Sequence, residues 1–289
     1  MGMRLNGVMR VSMPERSTLL ILVTVAAMPC IACSSLAPPK TEITEAIHHH
    51  VEHVTIGATA IDMHVAERPG VRPGTPLVIF ASGDGGWFGS AIGMFDAVAA
   101  AGYPVAGVSA RGLLRALRTD GRQISSAHVR EAYEHIISAA RAALRIRDDR
   151  PTIIAGWSRG ASLAVIVGAG LPEATVAGVV AIGLSADEDL NVDLDSDDES
   201  GESTPARPER LDTYALSTRI AGPVAVIQST GDGYLAAEQA RIRFGADSSA
   251  RRFYEVSARN HRFSGGEPAF RRVLNDALRW MSADQGTYP

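Results

Sequence analysis

The stretch Thr152–Leu163, "TIIAGWSRGASL", decides the fold. An apolar run leads into Gly156-Trp157-Ser158-Arg159-Gly160, and a second apolar run follows directly. A strand, a sharp turn and a helix in this order are typical of a nucleophile elbow, in which small flanking residues avoid collisions with the neighbouring strand and helix. The sequence therefore predicts Ser158 to be a nucleophile exposed at the end of a central strand.

Strand-like and helix-like segments alternate on both sides of this turn, and a hairpin precedes them. The predicted strands are His50–Ile56, Ala60–Glu67, Leu77–Ala81, Tyr103–Val108, 151–156, 176–185, 223–230 and 251–257. The predicted helices are Gly89–Ala101, Ser125–Leu144, 161–171, Ala236–Phe244 and Pro268–Met281. This alternation predicts an α/β domain over residues 43–289, with a mostly parallel central sheet and helices on both faces.

The composition excludes several classes of function. The chain has 289 residues, is 46% hydrophobic and carries a net charge of only -4. Its basic residues are scattered, which argues against a nucleic-acid partner. Lys40 is the only lysine and lies ahead of the domain, so a phosphate-binding P-loop and Schiff-base chemistry both drop out. We expect no cofactor.

The N-terminus resembles a targeting segment over residues 1–33, followed by a linker over 34–42. Three arginines precede the apolar run Thr18–Met28, which is short for a membrane span and ends in small residues. Cys30 and Cys33 follow, and "IACSS" resembles a bacterial lipobox with Cys33 as the lipidated residue. Export to the periplasm is predicted, and lipid anchoring at the membrane surface and simple cleavage both stay open.

A serine nucleophile needs a base, and a base needs an orienting acid. His261 is the only histidine after Ser158, and it follows the predicted strand 251–257. Asp232 lies in a glycine turn after the strand 223–230, while Asp187 and Asp189 are rival acids after the preceding strand. The order Ser158, Asp232, His261 is that of α/β hydrolases.

The stretch Pro76–Gly89, "PLVIFASGDGGWFG", predicts the second part of such a site. An oxyanion needs two backbone N–H donors, one from the residue after the nucleophile, Arg159, and one from a loop after an earlier strand. We expect Asp84 to supply the second donor, with Gly85 as the next candidate. Trp87 and Trp157 are predicted to line the substrate pocket, although core packing explains each of them nearly as well.

Several of these motifs together resemble the bacterial VirJ/AcvB virulence-protein family of α/β hydrolases. The matching segments are "SGDGGW", "GYPVAGV", "GWSRGA", the Asp232 turn and "NHRFSGG". The resemblance implies an exported enzyme that hydrolyses aminoacyl-phosphatidylglycerol, notably the lysyl form, with Ser158, Asp232 and His261 as the triad. The chain departs from the family after "GYPVAGV", where it continues "SARGLLRALRTDGR".

Two polar clusters were considered as metal sites and do not fit one. An acidic insert at about residues 186–210 includes Asp193, Asp195 and Asp197 at EF-hand spacing, but Asp198 and Thr204 replace the glycine and glutamate that a calcium loop needs. A solvated loop at the edge of the active site is expected instead. The histidines near the first strand fall on alternating faces, so no metal site is predicted.

Taken together, these residues predict an exported serine hydrolase that acts on a lipid or small ester. A general carboxylesterase or peptidase is the enzymatic alternative. A non-catalytic periplasmic binding protein on a hydrolase scaffold is the alternative from another class, since a fold does not fix a function. The sequence makes no prediction of the oligomeric state.

Overall fold

The computed structural model describes residues 47–118, 123–147, 151–192 and 210–283, all within the unit Thr44–Pro289. The predicted targeting segment with Cys30 and Cys33, and the acidic residues Asp193–Thr204, lie outside the described residues. None of the described helices is both long and apolar enough to cross a lipid bilayer.

Ten strands and seven helices lie in the described ranges. The strands are β1 (His48–Ile56), β2 (Thr59–Glu67), β3 (Val78–Ala81), β4 (Val105–Val108), β5 (Thr152–Trp157), β6 (Val176–Ile182), β7 (Asp187–Glu188), β8 (Leu211–Asp212), β9 (Val224–Ser229) and β10 (Arg251–Val256). The helices are α1 (Ser90–Ala100), α2 (Ala110–Leu117), α3 (Ser126–Ala143), α4 (Arg159–Gly168), α5 (Thr213–Ser217), α6 (Ala237–Phe244) and α7 (Glu267–Ala283).

Eight strands form the central sheet in the order β1-β2-β4-β3-β5-β6-β9-β10. β2 pairs antiparallel with both β1 and β4, and every other pair is parallel. β5, which leads to Ser158, lies in the middle of the sheet between β3 and β6. The carboxyl ends of the parallel strands therefore meet on one edge, around Ser158.

Two hydrophobic cores cover the two faces of this sheet. Strand side chains alternate between faces, so on β3 Val78 and Phe80 join the core under α1 and α7, while Ile79 and Ala81 join the core under α2, α3, α4 and α6. This arrangement confirms the predicted mostly parallel sheet with helices on both faces.

Helix α2 is the main element that the sequence prediction missed. The Ser109 hydroxyl caps it by accepting a hydrogen bond from the Gly112 N–H at 3.1 Å, and Leu113 and Leu114 are fully buried. An N-cap serine ahead of apolar residues at helical spacing is a readable signal. The two-stranded antiparallel sheet of β7 and β8, and helix α5, were also missed.

Candidate active site

Ser158 occupies a strained turn between β5 and α4. Its φ is 58° and its ψ is -124°, values that a residue with a side chain rarely adopts. The glycines around it are required by close approach: a Cβ on Gly156 would lie 2.1 Å from the Gly160 carbonyl oxygen, and a Cβ on Gly160 would lie 2.1 Å from that of Ala81. Glycine on each side therefore allows the sharp turn that presents Ser158 at the carboxyl end of β5.

His261 and Asp232 form a close pair at the same edge. His261 Nδ1 lies 2.6 Å from Asp232 Oδ2, in the loops that follow β10 and β9. The Asp232 side chain is fully buried, and its oxygens also accept hydrogen bonds from Gln228 Nε2 at 3.1 Å and the Tyr234 N–H at 2.9 Å. These donors fix the carboxylate, so it can hold the imidazole in one orientation.

The second ring nitrogen of His261, Nε2, is not used by the fold and can accept a proton. Nε2 is buried and has no hydrogen-bond partner among the described residues. Trp157 Nε1 donates to the His261 carbonyl oxygen at 3.1 Å, and the Tyr234 ring packs edge-on against the imidazole with centroids 4.9 Å apart. A Cβ on Gly183 would lie 2.7 Å from His261 Cε1, so the ring also rests against that backbone.

Ser158 and His261 line one cavity of about 510 Å³ at the carboxyl ends of the strands. Acidic, basic and exposed apolar side chains also line it: Asp84, Asp187, Glu188 and Asp189; Arg159, Arg210 and Arg262; and Phe88, Val192 and Tyr234. No hydrogen bond joins Ser158 to His261 in the described structure, and such bonds often form only when substrate binds.

The structure separates the predicted acids. Asp232 contacts the histidine ring directly. Asp187 is exposed on β7, and Asp189 instead accepts a hydrogen bond from the Asn191 N–H at 2.9 Å. Both rivals line the cavity, but neither makes a hydrogen bond or ion pair with His261 among the described residues.

The glycine-rich loop after β3 reaches Ser158 at Gly83. A Cβ on Gly83 would lie 2.9 Å from the Ser158 Cβ and 3.4 Å from its Oγ, so a side chain there would collide with the nucleophile. The Gly86 N–H donates to the Gly83 carbonyl at 3.0 Å and closes a turn that includes Asp84. Gly85 lies against the Phe88 ring instead. Gly83 was not singled out from the sequence, and its N–H joins those of Asp84 and Arg159 as a candidate oxyanion donor.

The two predicted pocket tryptophans have different positions. Trp157 lines the cavity and contacts His261. Trp87 does not line it, which corrects the prediction: its ring stacks on His64 of β2 at 4.3 Å and covers Gly107, where a Cβ would lie 2.1 Å from Trp87 Cη2. The physical reason is that glycine on β4 leaves room for the indole to pack against the core.

A buried charged group lies beside the nucleophile. Arg159 Nε lies 2.6 Å from Asp84 Oδ1 and 3.4 Å from Glu188 Oε1. Burial raises the pKa of Glu188 to about 7, and the positive charge of Arg159 opposes that rise. Glu188 was not singled out from the sequence, where it is one acid within the run "ADEDL".

The histidines of β1 do not gather into a metal centre. His53 faces Asp62 at 3.0 Å and His49 lies 3.9 Å from Asp96. Within the described ranges, no three His, Cys, Asp or Glu side chains are arranged to hold a metal ion.

Comparison with solved structures gives the fold a name. The match to a candidate dienelactone hydrolase from Klebsiella pneumoniae covers 82% of this chain and 99% of the hydrolase chain, at 14% identity and a TM-score of 0.59. The esterase domain of a Rhodothermus marinus protein matches 81% and 99%, at 18% identity and a TM-score of 0.53. A Bacillus subtilis carboxylesterase matches 80% and 92%, at 17% identity and a TM-score of 0.54. The chain therefore has the α/β-hydrolase fold.

Comparison by sequence adds no closer relative. No protein-family model and no curated protein sequence matches the chain. At the low identities of the structural matches, the likeness establishes the fold, and the chemistry must be argued from the site itself.

Proposed function

We propose that the protein is a serine hydrolase that cleaves carboxylic esters. The observation that carries this proposal is the strained Ser158 in one cavity with His261, whose Nδ1 is held by the buried Asp232. The nucleophile, the base and the orienting acid all lie on the elements that α/β hydrolases use. A purely structural role would not require these three residues together. Esterases among the structural neighbours support the same class of reaction.

In the proposed reaction, His261 Nε2 accepts the hydroxyl proton of Ser158 while Oγ attacks the ester carbonyl carbon. The N–H groups of Arg159 and of the Gly83–Asp84 turn stabilise the negative oxygen that forms. Collapse breaks the ester C–O bond, and the alcohol leaves with the proton from His261. Water then attacks the acyl-enzyme, again with His261 as base, and releases the acid and free Ser158.

For the substrate, we propose an aminoacyl ester of phosphatidylglycerol, the lysyl form first. This part rests on the resemblance to the VirJ/AcvB family. The cavity wall supports it, because Asp187 and Asp189 suit an ammonium group and Arg210 and Arg262 suit a phosphate. Exposed apolar side chains at its edge suit lipid carbons. A small neutral ester would need none of this charge.

The substrate test compares kcat/KM for lysyl-phosphatidylglycerol, alanyl-phosphatidylglycerol and a p-nitrophenyl ester, with Ser158→Ala as the blank. The two lipids are presented in the same detergent micelles, so that only the aminoacyl group differs. We expect the lysyl lipid to give the highest value. Turnover of the p-nitrophenyl ester with no reaction of either lipid would instead make the protein a general carboxylesterase.

We also propose that the protein is exported and held at the membrane surface by a lipid on Cys33. The support is the N-terminal sequence alone, with its arginines, apolar run and lipobox-like "IACSS". Cell fractionation tests this proposal. The Cys33→Ser variant should be lost from the membrane fraction, whereas the Cys30→Ser variant should remain in it. Equal distribution of both variants and the wild type would contradict the anchor.

A further inference from the structure

The side chain of Arg159, the residue directly after the nucleophile, is largely buried. It is only 11% exposed, although Arg159 begins the first turn of α4 at the cavity wall. Its Nε lies 2.6 Å from Asp84 Oδ1 and 3.4 Å from Glu188 Oε1. Both contacts are ion pairs, and Nε makes no hydrogen bond among the described residues. One guanidinium therefore meets carboxylates from two other segments, the loop after β3 and the strand β7.

These contacts join the two sources of oxyanion donors. One donor is the N–H of Arg159 itself, and the other comes from the turn that contains Gly83 and Asp84. Glycines give that turn conformational freedom, and the Gly86-to-Gly83 hydrogen bond is local, so it does not fix the turn relative to α4. The ion pair between Asp84 and Arg159 connects the turn to the nucleophile elbow.

Glu188 is the second carboxylate near the same guanidinium nitrogen. Its side chain is 4% exposed, and burial raises its pKa to about 7, while the positive charge of Arg159 favours the ionised form. Its backbone pairs with Leu211 of β8, and β7 also contacts α4. The charged groups that face Glu188 are Arg159 from α4, Asp84 from the loop after β3 and Asp189 from its own segment.

We propose that Arg159 is a positioning residue, whose side chain holds the Gly83–Asp84 turn against the nucleophile elbow so that both oxyanion donors converge on one point. This inference rests on the proposed ester hydrolysis. A change of a few tenths of an ångström in a donor alters how strongly it stabilises the developing charge, so the guanidinium acts on kcat without contacting the substrate.

A direct role in substrate binding makes a different prediction. If Arg159 held a negative group of the substrate, its loss would raise KM for charged esters and leave a neutral ester unaffected. A positioning role lowers kcat for a neutral ester as well. A short p-nitrophenyl ester, which carries no charge, is therefore the substrate that separates the two roles.

The experiment is a double-mutant cycle on Arg159→Met and Asp84→Asn, both of which keep their backbone N–H groups. Asp84 is half exposed, so Asp84→Asn tests the same contact without removing a buried side chain. We expect each variant to lower kcat for the neutral ester about tenfold to a hundredfold, with KM changed less than about threefold. The double variant should lose no more than Arg159→Met alone, because both changes break one contact. Arg159→Lys should recover part of the activity.

The matched control is the ion pair of Arg241 and Asp247, which lies between α6 and the start of β10, away from the cavity. Arg241→Met and Asp247→Asn should leave kcat and KM unchanged, singly and together. The thermal midpoints of all variants are measured alongside, so that loss of folded protein is not counted as loss of kcat.

Each outcome has a distinct meaning. Unchanged kcat in Arg159→Met, or additive losses in the double variant, would overturn the positioning role while the proposed function stands. A higher KM with normal kcat would overturn it in favour of substrate binding. If the wild type shows no turnover that depends on Ser158, the proposed function fails and this inference fails with it.

Discussion

Two arginine–carboxylate pairs, at opposite ends of the parallel strands, differ in how far their side chains are buried. At the amino edge, the side chains of Arg241 and Asp247 are 41% and 48% exposed, and Arg241 also donates to the carbonyls of Gly245 and Phe253. At the carboxyl edge, the Arg159 side chain is 11% exposed and that of Glu188 is 4% exposed. Solvent screens the first pair, whereas the second keeps strong interactions with its surroundings.

The carboxyl edge also holds buried polar atoms that make no hydrogen bond within the described structure. Arg159 Nε and Nη1, Glu188 Oε1 and His261 Nε2 are buried without a hydrogen-bond partner among the described residues. Ser158 adds backbone strain at the same edge. Unpaired buried atoms and backbone strain cost stability, and their occurrence together beside one cavity is typical of a functional site.

The largest effect is expected for the acid that orients His261. Asp232→Asn should lower kcat on the order of ten-thousandfold, because an amide no longer stabilises the imidazolium or selects the required tautomer. Steady-state kinetics with a neutral p-nitrophenyl ester measure this. Asp187→Asn, at an exposed position on the same cavity, is the matched control and should change kcat little. The reverse ranking would move the orienting role to β7.

A smaller effect is expected on stability, and it depends on pH. The pKa of Glu188 rises from 4.5 to about 7 on folding, so the folded protein keeps a proton that the unfolded chain releases between these values. The stabilising contribution of protonated Glu188 is fully present below the unfolded pKa of 4.5 and is lost as the pH rises through about 7. Glutamine stays neutral, so Glu188→Gln should gain stability relative to the wild type from pH 5 to pH 8, on the order of 2 kcal/mol.

Thermal unfolding of both proteins at the two pH values measures this difference, which corresponds to a few degrees in Tm. Glu255→Gln, at an exposed position on β10, is the control and should show a Tm gap that does not change with pH. A Glu188→Gln gap that is equal at pH 5 and pH 8 would contradict the account of Glu188 as a carboxylate raised by burial.

Local sequence was sufficient for the parts of the molecule that depend on neighbours in the chain. The elbow around Ser158 is a local steric solution, and apolar periodicity placed helices such as Ser126–Ala143 within a residue or two. The order of Ser158, Asp232 and His261 then limited which loops could meet, because the carboxyl ends of parallel strands share one edge.

Contacts between distant segments were beyond a local reading. Trp87 was expected in the cavity, but its position depends on the space above Gly107 and on His64 of β2, neither of which its own segment reveals. Glu188 is one of several acids in its segment, and only the packing of β7 against α4 buries it. Pairing partners and burial are set by tertiary structure, which the pattern of one segment does not contain.

The most direct test of the central claim is covalent labelling of the folded protein with an alkyl fluorophosphonate. An activated serine forms an Oγ–P bond and expels fluoride, and His261 takes the hydroxyl proton. The account predicts one adduct, found by mass spectrometry on the peptide that contains Ser158, and none in the folded Ser158→Ala variant. An adduct on another residue, equal labelling of Ser158→Ala, or no labelling of the wild type would contradict the assignment of Ser158 as the nucleophile.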